Sequence, residues 1–132
     1  MDRPPSGLLS GRRVLVVEDE MMVLWTIEEM LAELGCECVT AAATIGQSLA
    51  LIDAQTFDAA MLDLNLDGVK SYPIADALAA RQVPFLFATG YSDHGETPGY
   101  RGHPLLKKPY LVEDLAEIFE HLFAKEPPAP IG

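Results

Sequence analysis

Asp63 closes the apolar run Ala59-Ala60-Met61-Leu62, and three other apolar runs also end on residues able to do chemistry. Val14-Leu15-Val16-Val17 stops at Glu18-Asp19, Phe85-Leu86-Phe87-Ala88 stops at Thr89, and Leu105-Leu106 is followed by Lys107-Lys108-Pro109. Short apolar runs of this kind read as strands buried on both faces of a parallel sheet. In such sheets reactive groups gather at the carboxyl ends of the strands. Three acids, one hydroxyl and one lysine then share a single rim. That set suits a divalent metal ion and phosphoryl chemistry.

Each requirement of the chemistry finds a residue. Glu18, Asp19 and Asp63 form an acidic cluster whose mutual repulsion a divalent cation would relieve. Magnesium is the expected ion, because it accepts a few carboxylates and keeps several waters. Glu18-Asp19-Glu20 has a second reading, as acids that favour the start of a helix near Met21. Asp63 is the candidate nucleophile, since a carboxylate can attack phosphorus to form an acyl phosphate. Phosphoryl transfer also needs the equatorial oxygens neutralised. Lys108 can pair with one of them and the Thr89 hydroxyl can donate to another. Lys108 is preferred to Lys107 because an X-Pro bond readily adopts the cis form, which would aim the lysine inward.

Alternating elements must hold these residues. The spacing predicts strands at about 13–18 and 36–41, then one ending at Asp63, one following Pro84 and one at Leu105-Leu106. A helix is expected over about 21–34, with Val23, Ile27, Met30, Leu31 and Leu34 on one face and Gly35 as its C-terminal glycine. Thr44 caps a second helix carrying Ile45, Leu49 and Ile52. Ser71 and Pro73 open a third with Ile74 and Leu78. A final helix over about 112–123 shows Leu115, Ile118, Phe119 and Leu122 on one side. Asp67-Gly68 is a turn signal. Between Gly90 and Pro104 there is no apolar period, so a loop is expected where the alternation calls for another helix. The topology that follows is a set of parallel βαβ units.

The 132 residues fit one core-bearing domain over 12–124, with a leader at 1–11 and a proline-rich tail at 125–132. No signal-peptide core or bilayer-length apolar stretch occurs, so the expectation is a cytoplasmic protein without a membrane partner. A formal net charge of −11 argues against nucleic acid as a partner. Cys36 and Cys38, two apart, are expected on one strand face as packing thiols rather than as a disulfide or a zinc site.

Glu18-Asp19, Asp63 with Asn65 two residues on, Thr89 and Lys108-Pro109 together resemble the receiver domain of bacterial two-component response regulators. The resemblance covers about residues 12–124. It implies a flavodoxin-like (CheY-like) α/β fold: a doubly wound five-stranded parallel sheet in the order 2-1-3-4-5, with helix 4 replaced or shortened by the loop at about 90–104. It also implies phosphate accepted on Asp63 from a histidine kinase or phosphotransfer protein. Magnesium would be held by Asp19, Asp63 and the Asn65 carbonyl, with Glu18 acting through a bound water. Pro84-Phe85-Leu86-Phe87-Ala88-Thr89-Gly90-Tyr91 looks like the signature of the FATGUY receivers, single-domain regulators linked to stress signalling. Two features depart from the family. Thr89 and Lys108 lie 19 residues apart, a few fewer than usual, and Leu105 stands where most receivers carry Tyr or Phe. Tyr91 and the loop are therefore expected to replace the usual aromatic switch. Trp25, with Met21 and Met22, offers either an apolar contact for a kinase helix or packing on its own helix.

A receiver of this kind is a phosphoacceptor with self-phosphorylation and dephosphorylation chemistry only, not an enzyme. It is expected to act through a downstream partner protein or as a phosphate sink. One alternative is a magnesium-dependent phosphohydrolase. Enzymes of the haloacid-dehalogenase type need a second Asp two residues after the nucleophile, and Asn65 there cannot protonate a leaving group. The other alternative is a degenerate receiver acting only as a binding module, against which the complete set Glu18, Asp19, Asp63, Thr89 and Lys108 argues.

Overall fold

Strand side chains alternate between faces, and the apolar strands of this chain feed two cores in that rhythm. In the computed structural model, which describes residues 7–89, 105–107 and 111–124, β1 (Arg13–Val17), β2 (Cys38–Ala42), β3 (Ala59–Asp63), β6 (Phe85–Thr89) and β7 (Leu105–Lys107) form one sheet. Its order is β2-β1-β3-β6-β7, and every neighbouring pair is parallel. Counting only these five strands, the order is 2-1-3-4-5, as expected. The intervening β4 (Asn65–Leu66) and β5 (Val69–Lys70) form a separate antiparallel ribbon.

Val14, Val16, Ala59, Met61 and Leu86 point to one side of the sheet. There α1 (Met21–Glu33) and α4 (Val112–Ala124) supply Ile27, Leu31, Leu115 and Phe119. Leu15, Val17, Ala60, Leu62, Phe85 and Phe87 point to the other side. There α2 (Ile45–Ala54) and α3 (Tyr72–Ala80) supply Ile52, Ile74 and Leu78. Phe87 is a joint of this second core, meeting both Phe85 and Tyr72 edge-on at 5.6 and 6.2 Å between ring centroids.

The ends of the helices follow local chemistry. Thr44 caps α2 by accepting from the Gln47 N–H, while Gln47 Oε1 accepts from the Ala43 N–H, a near-reciprocal box. α1 ends with Gly35 at φ 93°, the Cys36 N–H bonding Leu31 O and the Gly35 N–H bonding Ala32 O. This is the glycine-terminated Schellman arrangement expected from sequence. α3 ends in the same hydrogen-bond pattern, but Gln82 occupies the left-handed position at φ 61°.

Asp58 fixes how β1 and β3 slide past each other. Its Oδ2 accepts from the Arg13 N–H at 2.7 Å, and its own N–H donates to Arg13 O at 2.8 Å. From that clamp the strands run in register to Val17 opposite Leu62.

Several expectations are corrected. The segment 7–11, read as part of a leader outside the core, sends one residue into it: Leu9 is fully buried and its N–H donates to Leu34 O at 2.9 Å. Leu9 lies too far before the first strand to share its apolar period. On α2 the inward face is Ser48 and Ile52, and Leu49 is exposed. Cys36 precedes β2 and is buried, whereas Cys38, on the edge strand, is exposed; both are free thiols. The loop expected at 90–104, with Tyr91, lies outside the described residues. So do Lys108, Pro109, the tail after 124, and the side chains of Thr89 and Leu105.

Leu9→Ala is expected to destabilise the protein by about 3 kcal/mol, read from urea unfolding. Burial pushes the Cys36 thiol up, and the thiolate is the reactive form. Iodoacetamide at mildly alkaline pH should therefore add one label to the native chain, on Cys38, and a second only after denaturation, as intact mass will report.

Candidate functional site

The register of the central strands assembles the acids. Because Val17 lies opposite Leu62, the next residue of each chain, Glu18 and Asp63, emerge side by side. Both alternate onto the α1/α4 side. The Glu18 N–H donates to Ala42 O at 3.0 Å, extending the β1–β2 ladder by one bond. Asp19 follows at the turn into α1. Carboxylate oxygens of Glu18, Asp19 and Asp63 all lie within 4.8 Å of one another. Glu18 and Asp63 are buried, at 2% and 7% exposure, and Asp19 is exposed.

The acidic triplet stands at the start of α1, but without a side-chain cap. Glu20 occupies the N-cap without a side-chain cap bond. The Glu18 carboxylate accepts from the Glu20 N–H at 3.2 Å, which ties the turn between β1 and α1.

Beyond Asp63 the chain makes a closed loop. The Leu64 N–H donates to Ala88 O at 2.8 Å, carrying the β3–β6 pairing one residue past Asp63. Asn65, first residue of β4, donates its N–H to Asp63 Oδ1 at 3.2 Å. Its own side-chain oxygen is buried. Asp67 and Gly68, at φ 54° and 87°, turn the chain back, the positive-φ pair that a tight type I′ hairpin demands. At the neck, Leu64 O accepts from the Ser71 N–H at 3.0 Å, with the Ser71 hydroxyl at 3.4 Å. Ser71 stands at the N-cap of α3, but its side chain makes no cap bond.

β6 ends at Thr89, whose backbone pairs with Lys107 of β7. Asp63 pairs with Ala88, so Thr89 is one residue farther along the same rim. Lys108 follows the last residue of β7 in sequence. Of the residues singled out from the sequence, the structure brings together Glu18, Asp19, Asp63 and Asn65.

An apolar patch borders this pole. Met21, Met22 and Trp25, in the first turns of α1, are 74, 72 and 62% exposed. Leu111, just before α4 on the same side of the sheet, is 65% exposed. Leu111 was not singled out from sequence. Its signal was an apolar residue falling off the inward stripe of Leu115, Phe119 and Leu122.

The model of the response regulator receiver domain matches residues 14–120. The chain belongs to that family. Among solved structures this receiver is similar to SdrG from Sphingomonas melonis Fr1, with 39% identity and a TM-score of 0.78 over 85% of this chain and 96% of that one. It is similar to the receiver domain of the sensor histidine kinase PA1611 from Pseudomonas aeruginosa PAO1, solved with magnesium coordinated in its active-site cleft. There the identity is 28% and the TM-score 0.75, over 87% of this chain and 99% of that one. It is also similar to the stress response regulator PhyR, with 27% identity and a TM-score of 0.76, covering 93% of this chain and 48% of that one. No curated protein matches the sequence. Among the described residues, no helix of the receiver is long and apolar enough to cross a membrane.

Proposed function

We propose that this receiver accepts a phosphoryl group on Asp63 from a histidine kinase or phosphotransfer protein, with magnesium as its cofactor. One observation carries the reading: three carboxylates converge within 4.8 Å at the carboxyl end of the sheet, around a buried aspartate that ends its central strand. Three carboxylates held this close repel one another, and a divalent cation among them would relieve that repulsion. Hard carboxylate oxygens are the donors magnesium prefers, and opposite ligands of one such ion lie about 4.2 Å apart, twice the metal–oxygen distance. The set fits with small adjustment.

In the transfer, an Asp63 carboxylate oxygen attacks phosphorus as the nitrogen–phosphorus bond of the donor phosphohistidine breaks. The imidazole leaves with the electron pair, and an acyl phosphate remains. Magnesium, when bound, supplies positive charge to the phosphoryl oxygens. Glu18, Asp19, Asp63 and the Asn65 carbonyl are the residues to hold it, Glu18 through a water. Thr89 and Lys108 are assigned the other two oxygens. The Asn65 N–H donates to Asp63 Oδ1, which holds the carboxylate in orientation for the attack. Tyr91, Leu105 and the 90–104 segment are assigned the response to phosphorylation, passed on to a downstream protein. A role in stress signalling draws support from the likeness to PhyR.

The exposed Met21, Met22 and Trp25 suit docking of the donor protein. Methionine adapts its shape and tryptophan anchors interfaces, and the patch opens directly beside Asp19.

Incubation with acetyl phosphate and magnesium, followed by intact mass, is expected to show one added phosphate. The gain should be lost in Asp63→Asn and in chelator. Continuous release of phosphate would favour a hydrolase, and no label with no release would favour a binding module. Trp25→Ala should slow transfer from a cognate phosphorylated kinase roughly tenfold or more while leaving labelling by acetyl phosphate unchanged; equal loss with both donors would remove the docking role.

A further inference from the structure

We propose that the β4–β5 ribbon is a positioning device for the acidic site, with the exposed turn Asp67-Gly68 setting its affinity for a divalent cation. The inference rests on the magnesium-dependent reading of that site. Between Asp63 and α3 the chain could cross the rim as an open loop, free to rotate the carbonyl of Asn65. Instead it is tied at three levels. At the neck, Leu64 is held by Ala88 O through its N–H and by the Ser71 N–H through its carbonyl. In the ribbon, Asn65 pairs with Lys70 and Leu66 with Val69. Leu66 is 4% exposed and belongs to the α2/α3 core, which anchors the ribbon to the body of the protein.

The remaining freedom lies in the turn. Asp67 and Gly68 both sit at positive φ, which Asp tolerates and glycine adopts freely but alanine does not. A ribbon of two residue pairs has few bonds of its own, so a misfitting turn loosens it as far as Asn65. Asn65 donates to the Asp63 carboxylate, and its carbonyl is the one that the magnesium reading assigns to the cation. A Cβ built at Gly68 meets nothing within 4 Å beyond its chain neighbours, so an added methyl group presses on no side chain of the site. An effect of Gly68 on the site must therefore travel through the backbone.

Gly11 is a matched control. It too has positive φ, 77°, and open space around its Cβ, but it precedes β1 at the opposite pole. Alanine at either position introduces the same kind of backbone strain. The experiment titrates magnesium into wild type, Gly68→Ala and Gly11→Ala, following Trp25 fluorescence or amide shifts, with thermal midpoints measured in chelator. The expected result is a magnesium midpoint raised several-fold in Gly68→Ala alone, with thermal midpoints lowered in both variants. A lowered thermal midpoint with an unchanged magnesium midpoint in Gly68→Ala would overturn the proposal. So would an equal shift in Gly11→Ala. Amide exchange in the wild type tests it without a variant. Coupling is reciprocal, so magnesium should slow exchange of the amides of residues 65–70, and exchange unaltered by bound magnesium would also overturn it. If wild type binds no magnesium by either readout, the metal-dependent reading of the site falls, and the proposal falls with it.

Discussion

Everything at the active rim depends on how far β1 has slid along β3. A parallel pair buried on both faces does not announce its register by exposing one side to water, as an amphipathic strand does. This chain fixes it with a polar device at the other end. Asp58 grips both the N–H and the carbonyl of Arg13, and four paired residues later Glu18 and Asp63 emerge level with each other. A slip of one residue would carry Glu18 to the opposite face and separate the acids. The geometry of the acidic rim is thus set by two short hydrogen bonds at the opposite end of the same strands.

The packing around that pair converts strand alternation into two separate cores. One draws α1 and α4 onto Val14, Val16 and Met61; the other draws α2 and α3 onto Leu15, Val17 and Leu62. Burying Val and Leu side chains contributes about 25 cal/mol for each Å² of apolar surface removed from water, and with both faces covered neither can relax independently. Side chains at the carboxyl ends therefore stand on a stiff base. Four of the apolar residues left exposed, Met21, Met22, Trp25 and Leu111, lie at the starts of α1 and α4.

The sheet and the acidic cluster were legible because each strand is an apolar run broken by a functional residue, so one signal carried both. Helix faces were read well on α1 and α4, where large residues recur over three turns. They were misread on α2, whose inward face includes the small polar Ser48, its hydroxyl satisfied by Thr44 O at 2.8 Å. Leu9 was missed because a single anchoring residue has no period to detect. The ribbon was half legible: Asp67-Gly68 announced a turn, but strands of two residues carry no alternation. Ser71 was read as a helix opener. It does stand there, yet its hydroxyl turns to the loop neck, a choice that only the tertiary structure makes.

The burial of Leu9 bears on the order in which the molecule can assemble during synthesis. Its N–H meets Leu34 O, at the end of the first helix, so the earliest described residues close against a segment made only shortly afterwards. A loop of that size closes at modest entropic expense. The first strand and helix can therefore be tethered before the acid-bearing end of β3 has left the ribosome. Since β1 is an inner strand, flanked by β2 and then β3, each later strand finds an edge already waiting.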